Sequence, residues 1–482
     1  MSELSHIVVG GAPEGFDAEL ILKEVSASDG PVIHIARDYK RVSALDEALK
    51  FFAPDMPVLK FPSWDCLPYD RISPKSDISA ARMATLAALV HKPLKQFVLL
   101  TTLNAIIQKL PGRSVLKSAV FYADVGQRIN EAELKSFLAR MGFTQSPIVM
   151  EPGNFAIRGG IIDIFPPGDK GPVRLDLFGD VLDGARRFDP ANQRSTEKLT
   201  EVELAPVSEI ILDTAAVTRF RRKYRTEFGV AGTNDPLYEA VSAGRKYQGI
   251  EHWMPFFHDK LETLFEYLPN ATITQDDQIT PVRLARWEAI ADQYEARIIA
   301  MNQKSQTDTV YKPIPPEKLY LSSESWKKRV FGRRVIQFHP LVQANGPDVL
   351  DAGGRIGRNF SPERKTEKVS IFSALSDYIR VKLSSGPVVI ASYSDGARER
   401  LARLLEDEGL LSPRMISSAK EISGQFLHLV VWGLEQGFEK SDLTVISEQD
   451  VLGDRLIRQG RKKRKSEIKR HQPTHLNIAD WG

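Results

Sequence analysis

The chain has 482 residues, of which 42% are apolar and 26% charged, and its formal net charge is +3. A single core stops growing well below this size, so roughly two to four domains are expected, and the near-neutral balance excludes wholesale coating of nucleic acid and confines any basic function to a local patch. The longest apolar runs, such as FVLL and PVVIA, are far too short to span a bilayer, the N-terminus has neither the basic nor the apolar region of a secretory signal, and the single cysteine, Cys66, cannot form an intramolecular disulfide; no membrane contact and a cytoplasmic location are expected.

From the start of the chain, HIVVGG, PVIHIA, PVLKFP and FVLLTT are short apolar runs bounded by Gly or Pro. Helix-patterned stretches such as RVSALDEALKFF and ISAARMATLAALVHK separate them. Strands alternating with helices predict an α/β domain with a parallel, doubly wound sheet over residues 1–120. The texture changes over residues 121–212, where one helix, NEAELKSFLARMGF, precedes Gly- and Pro-punctuated alternating strands. This segment reads as an inserted α+β domain with an antiparallel sheet. Helical pattern returns at Asp213, and the first α/β domain is expected to resume over residues 213–342. The Gly- and Pro-rich stretch 343–366 reads as a linker, residues 367–454 as a small α/β domain, and residues 455–482 as a basic tail.

The first chemical candidate is IVVGGAPEGFDAEL, a strand, a glycine turn and a helix in the layout of a phosphate-binding loop, with Gly10, Gly11 and Gly15 in the turn. Such a loop needs a Lys for the outer phosphates and a Ser or Thr for magnesium. Phe16 and Asp17 follow Gly15 instead, and a carboxylate there repels phosphate, so the turn reads as structural. The pair Asp276 and Asp277, after ATITQ, has the character of a magnesium-coordinating acidic pair at a strand end. Without a working phosphate loop it reads as a solvated turn or a helix cap. Cys66 reads as a small buried apolar residue. His252 and His258 lie six apart, which does not set two imidazoles on one helical face, and they read as ordinary core or surface residues. No metal-ligand spacing occurs among the histidines.

In Val173-Arg174-Leu175-Asp176-Leu177-Phe178, period-2 alternation puts Val173, Leu175 and Leu177 on one face and Arg174, Asp176 and Phe178 on the other. A large aromatic thus shares a polar face with a guanidinium. The tail from Arg455 to Arg470 has nine basic residues and one acid, Glu467. Its densest run, Arg461, Lys462, Lys463, Arg464 and Lys465, suits salt-dependent contact with DNA, and equally a solvated linker.

The strings FPSWDCLPYDRISPKSDISAARM (61–83), GNFAIRGGIIDIFPPG (153–168), VRLDLFGD (173–180), RRFDPANQRS (186–195), YQGIEHWMPFF (247–257) and LFEYLP (264–269) resemble the N-terminal half of the bacterial transcription-repair coupling factors, and the resemblance covers almost the whole chain. It implies a UvrB-like module: a degenerate, helicase-like (P-loop-type) parallel-sheet domain interrupted by a UvrB-type domain 2 and followed by a small domain 3. In UvrB the glycine turn and the acidic slot serve ATP. The departures at Gly10, Gly11, Gly15, Asp276 and Asp277 imply that this chain kept the fold without hydrolysis, so no cofactor is expected in it. ATP and magnesium are expected for the family's translocase domains, which the sequence does not include. UvrB's aromatic-rich, DNA-clamping hairpin has no counterpart between Asp77 and Gln96. The resemblance further implies UvrA as the partner of domain 2, through positions matching Arg158, Arg174 and Phe178, with DNA and RNA polymerase engaged by the full-length protein and an autoinhibitory contact with its own C-terminal domains. The sequence stops about where the family's polymerase-interacting domain begins, as expected of a fragment, and the basic run is then a linker toward that domain. A divergent UvrB-type ATPase and a DNA-binding module acting through the tail are the alternatives.

Overall fold

The structure, a computed structural model, describes residues 6–453 apart from positions 29, 93, 230–234, 304–310, 366–369 and 410–412. The described residues form two compact units that divide between Arg355 and Ile356. No helix among them is long and apolar enough to cross a membrane.

The first unit opens with strands β1 (His6–Gly10), β2 (Val32–Ala36), β3 (Val58–Phe61) and β4 (Val98–Thr102), alternating with helices α1 (Phe16–Ala27), α2 (Tyr39–Phe52) and α3 (Ser76–His91). The chain then makes a second sheet from β6 (Thr144–Gln145), β7 (Asn154–Arg158), β8 (Ile161–Ile164), β9 (Val173–Phe178), β10 (Val181–Phe188) and β11 (Ser195–Leu199), preceded by helix α4 (Glu131–Arg140) and flanked by a separate antiparallel pair, β5 (Phe121–Asp124) with β12 (Glu201–Leu204). After helix α5 (Thr214–Phe228), strands β13 (Thr272–Asp276), β14 (Val335–Phe338) and β15 (Val349–Asp351) return to the first sheet, whose order is β15-β1-β14-β13-β2-β4-β3 with every pairing parallel. The central strands β2 and β4 are buried along their whole length, the condition under which a parallel strand reads as a continuous apolar run. Helix α3 fills residues 76–91.

Two expectations are corrected here. The stretch 343–366 is not wholly a linker, because Val349–Asp351 pairs with Val8–Gly10 at the sheet edge. Three paired residues leave no alternation to read. Cys66 is partly rather than fully buried.

In the second sheet, ordered β11-β10-β9-β8-β7-β6, the hairpins fix the register. Gly159 and Gly179 adopt positive φ of 60° and 64° at the first position of two-residue turns, which close Arg158 against Ile161 and Phe178 against Val181. Only the first turn residue needs positive φ, as in a type II′ hairpin, and glycine meets that need without strain. One row of paired residues, Ile157, Ile162, Leu175 and Ala185, faces Leu134 and Leu138 of α4 in a common core. Burying each such leucine contributes about 1.5–3 kcal/mol.

Arg82, on α3, is fully buried and donates to both carboxylate oxygens of Glu209 at 2.9 Å and to the Pro62 carbonyl at 2.7 Å. Trp64 Nε1 donates to the same carboxylate at 2.7 Å, and the guanidinium lies 4.3 Å from the Phe61 ring centroid. This buried, fully bonded pair ties the chain leaving the second sheet to the helix layer of the first.

The second unit holds α6 (Ile371–Leu383), β16 (Val388–Ser392), α7 (Asp395–Asp407), β17 (Leu427–Val431), β18 (Phe438–Lys440) and β19 (Leu443–Ser447). Strand β16 lies between β17 and β19 and is parallel to both, and β18 runs antiparallel to β19. The described helices and strands of this unit alternate in a small α/β pattern.

Candidate docking surface

Alternate rows of the second sheet point away from α4. In register, one such row is Arg158, Ile161, Asp176 and Gly184, and another is Ala156, Asp163, Arg174, Arg186 and Lys198, of which Ala156 and Asp163 are buried, Ala156 with Val149 and Phe188 in a small cluster. Phe178 closes the hairpin beyond the first row and is 82% exposed. The period-2 expectation for this phenylalanine agrees with its position. Ile148, Met150 and Ile161 are also exposed, each by 40% or more. Of these, Ile161 pairs with Arg158 across the hairpin, so apolar and cationic groups adjoin at this end, as they do in protein interfaces.

The two arginines of this face differ. Arg174 is held: its guanidinium donates to both oxygens of buried Asp163, at 2.7 and 2.9 Å, and lies 4.7 Å from the Phe188 ring centroid. The bond to Asp163 raises the Arg174 pKa further above its ordinary value. Only one-fifth of its side chain is exposed. It therefore presents a fixed edge of positive charge rather than a free side chain. Arg158 is exposed and touches the Pro147 carbonyl. The structure thus brings Arg158 and Phe178 to one end of the sheet, with Arg174 one register row inside Asp176. Sequence inspection missed Ile148, Met150 and Ile161, as well as Asp163 and Phe188 behind Arg174. The Gly159-Gly160 turn was the signal for Ile161 and Asp163, because it sets Ile161 opposite Arg158 and, two residues on, Asp163 opposite Ala156.

The glycine turn is the second constellation. Gly10 ends β1, and Gly15 precedes the first turn of α1. Three turn amides have partners: Gly11 N–H donates to the Leu341 carbonyl at 3.1 Å, Ala12 N–H to the His339 carbonyl at 3.0 Å, and Gly15 N–H to Asp17 Oδ1 at 3.0 Å. Phe16 and Asp17 donate their N–H groups to the Pro13 carbonyl. Asp17 is buried and paired with buried Arg41.

Asp276 corrects the sequence reading. It is not in a solvated turn but buried at the end of β13, 3.4 Å from both His34 Nε2 and Arg41 Nε, and it accepts the Arg37 N–H at 2.9 Å. Burial pushes its carboxyl pKa up, but the neighbouring His34 ring, the Arg41 guanidinium and the Arg37 amide outweigh that and hold it far below the usual carboxylate range. Asp277 lies outside this cluster, 3.7 Å from His339 Nε2. Arg37 donates to Glu14 at 2.6 Å. The carboxylates and guanidiniums at this end of the sheet therefore neutralise one another.

His252 and His258 are both buried, in keeping with their plain reading as core residues. Arg461, Lys462, Lys463, Arg464 and Lys465 lie outside the described residues.

Comparison with known proteins places this insertion in a known class: residues 121–210 match the UvrB interaction domain and residues 381–451 the MFD D3 domain. The chain is related to the transcription-repair coupling factors. It is 30% identical to that of Escherichia coli over 454 residues, covering 93% of the chain and 38% of the relative. It is 27% identical to that of Haemophilus influenzae, covering 96% and 39%, and 24% identical to that of Bacillus subtilis, covering 94% and 39%. The chain thus spans under two-fifths of the length of these relatives.

Proposed function

We propose that this chain is the non-catalytic, UvrB-like part of a transcription-repair coupling factor, and that it recruits UvrA to stalled RNA polymerase for nucleotide excision repair. The observation that carries this reading is Phe178, held outward on a rigid hairpin beside Arg158 and Ile161, within residues that match the UvrB interaction domain. Aromatic and arginine side chains dominate interface energetics, where one well-buried anchor contributes about 2 kcal/mol or more. The hairpin fixes the backbone of Phe178 by its pairing with Val181, so that part of the chain need not be ordered on binding.

In this reading the first sheet is a P-loop-type domain that has lost its nucleotide. Asp17 and Asp276 occupy Arg41, and the turn amides that cradle phosphate in a working loop are bonded within the chain. A UvrB-type ATPase is disfavoured on the same grounds. ATP hydrolysis with magnesium, DNA translocation and the polymerase contact belong to the rest of the full-length protein, whose C-terminal domains cover the docking face until the motor engages.

Titration calorimetry of UvrA into this chain, at two salt concentrations and with Arg158→Ala and Phe178→Ala beside the unmodified chain, tests the recruitment. Binding that Phe178→Ala weakens about tenfold, or about 1.4 kcal/mol, is expected. Absence of binding by the folded, unmodified chain would remove this reading. In the full-length protein, Arg174→Ala is expected to alter UvrA affinity or basal ATPase; if neither changes, the masking idea fails.

A further inference from the structure

Away from both constellations, α5, residues 255–266 and residues 318–329 wall a cavity of about 830 Å³, within the range of small-molecule sites. Seven of its lining side chains are basic and three acidic. The acids are engaged: Glu227 with Lys318, Glu266 with Arg329 at 3.1 Å, and Asp259 with Arg219 at 2.6 Å. The surplus lies in Lys109, Arg222 and Lys223.

Those cations have unusual surroundings. Lys223 Nζ donates to the carbonyls of His258 and Pro255 at 2.5 and 3.0 Å, and Lys109 Nζ to the Glu317 carbonyl at 2.6 Å. Among the described residues neither ammonium has a carboxylate within ion-pair distance. Burial lowers the pKa of both, the mark of positive charge that lacks compensation. Arg222 stands exposed at the rim. Helix α5 carries five basic residues between Arg219 and Arg225 against a single acid, Glu227, and so extends the positive field around the opening. Phe256 and Leu261 give the cavity an apolar floor.

We propose that this cavity binds a phosphate ester that carries a flat or apolar group, the chemistry of a nucleotide, whether free or within a single nucleic-acid strand. The cations take the phosphates as charge-assisted hydrogen-bond acceptors, and Phe256 and Leu261 take the ring. The site is separate from the glycine turn and from the proposed UvrA-docking face.

Titration calorimetry of the whole chain with ATP, with inorganic tripolyphosphate and with a single-stranded oligonucleotide tests the site, each repeated with Arg222→Glu. Arg222 makes no ion pair among the described residues, so the variant is expected to fold, which circular dichroism checks. Lys223→Met, which keeps the stem and removes the ammonium, is the second variant. ATP binding tighter than tripolyphosphate binding, with both weakened at least tenfold by either substitution, supports a free nucleotide. The same loss confined to the oligonucleotide supports a strand. If no probe binds at millimolar concentration, or if binding is indifferent to both substitutions, the site is not there. UvrA binding is expected to be unchanged by Arg222→Glu, so this test and that of the docking face fail independently.

Discussion

At the C-terminal ends of β1, β2 and β13, Arg41 is enclosed by Asp17 and Asp276. At the hairpin tips of β7 and β9, Arg158 and Phe178 stand in solvent. Both places put polar groups at strand ends, where binding sites commonly form in sheet proteins. In the first, every carboxylate faces a cation of the same chain, so little remains to draw a ligand. In the second, the Phe178 ring is left uncovered at a hairpin tip whose pairing turns it away from α4. Arg174 lies between these extremes: its charge is held by Asp163, yet one edge of it reaches the outward face. The contrast shows that the binding capacity of a site depends on which groups stay unsatisfied in the folded chain.

The comparison is broken most severely by Asp17→Ala. It leaves buried Arg41 short of its closest carboxylate, and loss of one partner of a buried pair costs about 3–5 kcal/mol; urea unfolding should show that loss while UvrA affinity of the folded protein is retained. Acid provides the next test. Burial lowers His252 and His258 to about 4 from the ordinary 6.5. Between those values the unfolded chain takes up protons that the folded chain refuses, so stability falls as pH drops from 6.5 to 4, by about 3 kcal/mol for each histidine. The depressed Asp276 carboxyl extends the loss below pH 4, because its contribution is complete only above the unfolded pKa. His252→Phe should remove one histidine's share of the slope in urea midpoints measured across this range. Residues 121–212 contain no histidine, so the docking face itself should not respond in that window.

Smaller effects sharpen the other side. Phe178→Ala is expected to weaken UvrA binding about tenfold, or about 1.4 kcal/mol, and, at an exposed position, to change stability by no more than about 0.5 kcal/mol, as calorimetry and urea unfolding together report. Arg174→Ala should register in both assays, because it weakens the face and strands the Asp163 carboxylate, which costs about 1–3 kcal/mol. Arg158→Ala should lower affinity by about 0.5–1 kcal/mol, with a salt dependence that Phe178→Ala lacks.

Much of the frame was legible in the sequence, because the strands of the first hundred residues are apolar runs cut by Gly and Pro. The outward aim of Phe178 followed from alternation alone. Asp276 was not legible: its partners His34, Arg37 and Arg41 lie more than two hundred residues away along the chain, and only the parallel pairing of β2 with β13 brings them together. The tether of Arg174 is eleven residues upstream, across a two-strand register that alternation in one strand cannot supply. Strand β13 is itself buried yet polar, TITQD, because its neighbours answer its side chains: Thr274 Oγ1 lies 3.0 Å from His34 Nδ1, and Gln337 accepts from Gln275 at 3.2 Å. Such a strand is visible only once its neighbours are known.

The most direct test of the contrast is amide hydrogen exchange of this chain with and without UvrA. The account predicts slowed exchange at residues 146–150, 158–161 and 176–181, and no change at residues 10–17. Protection at the glycine turn with none at the hairpin tips would contradict it.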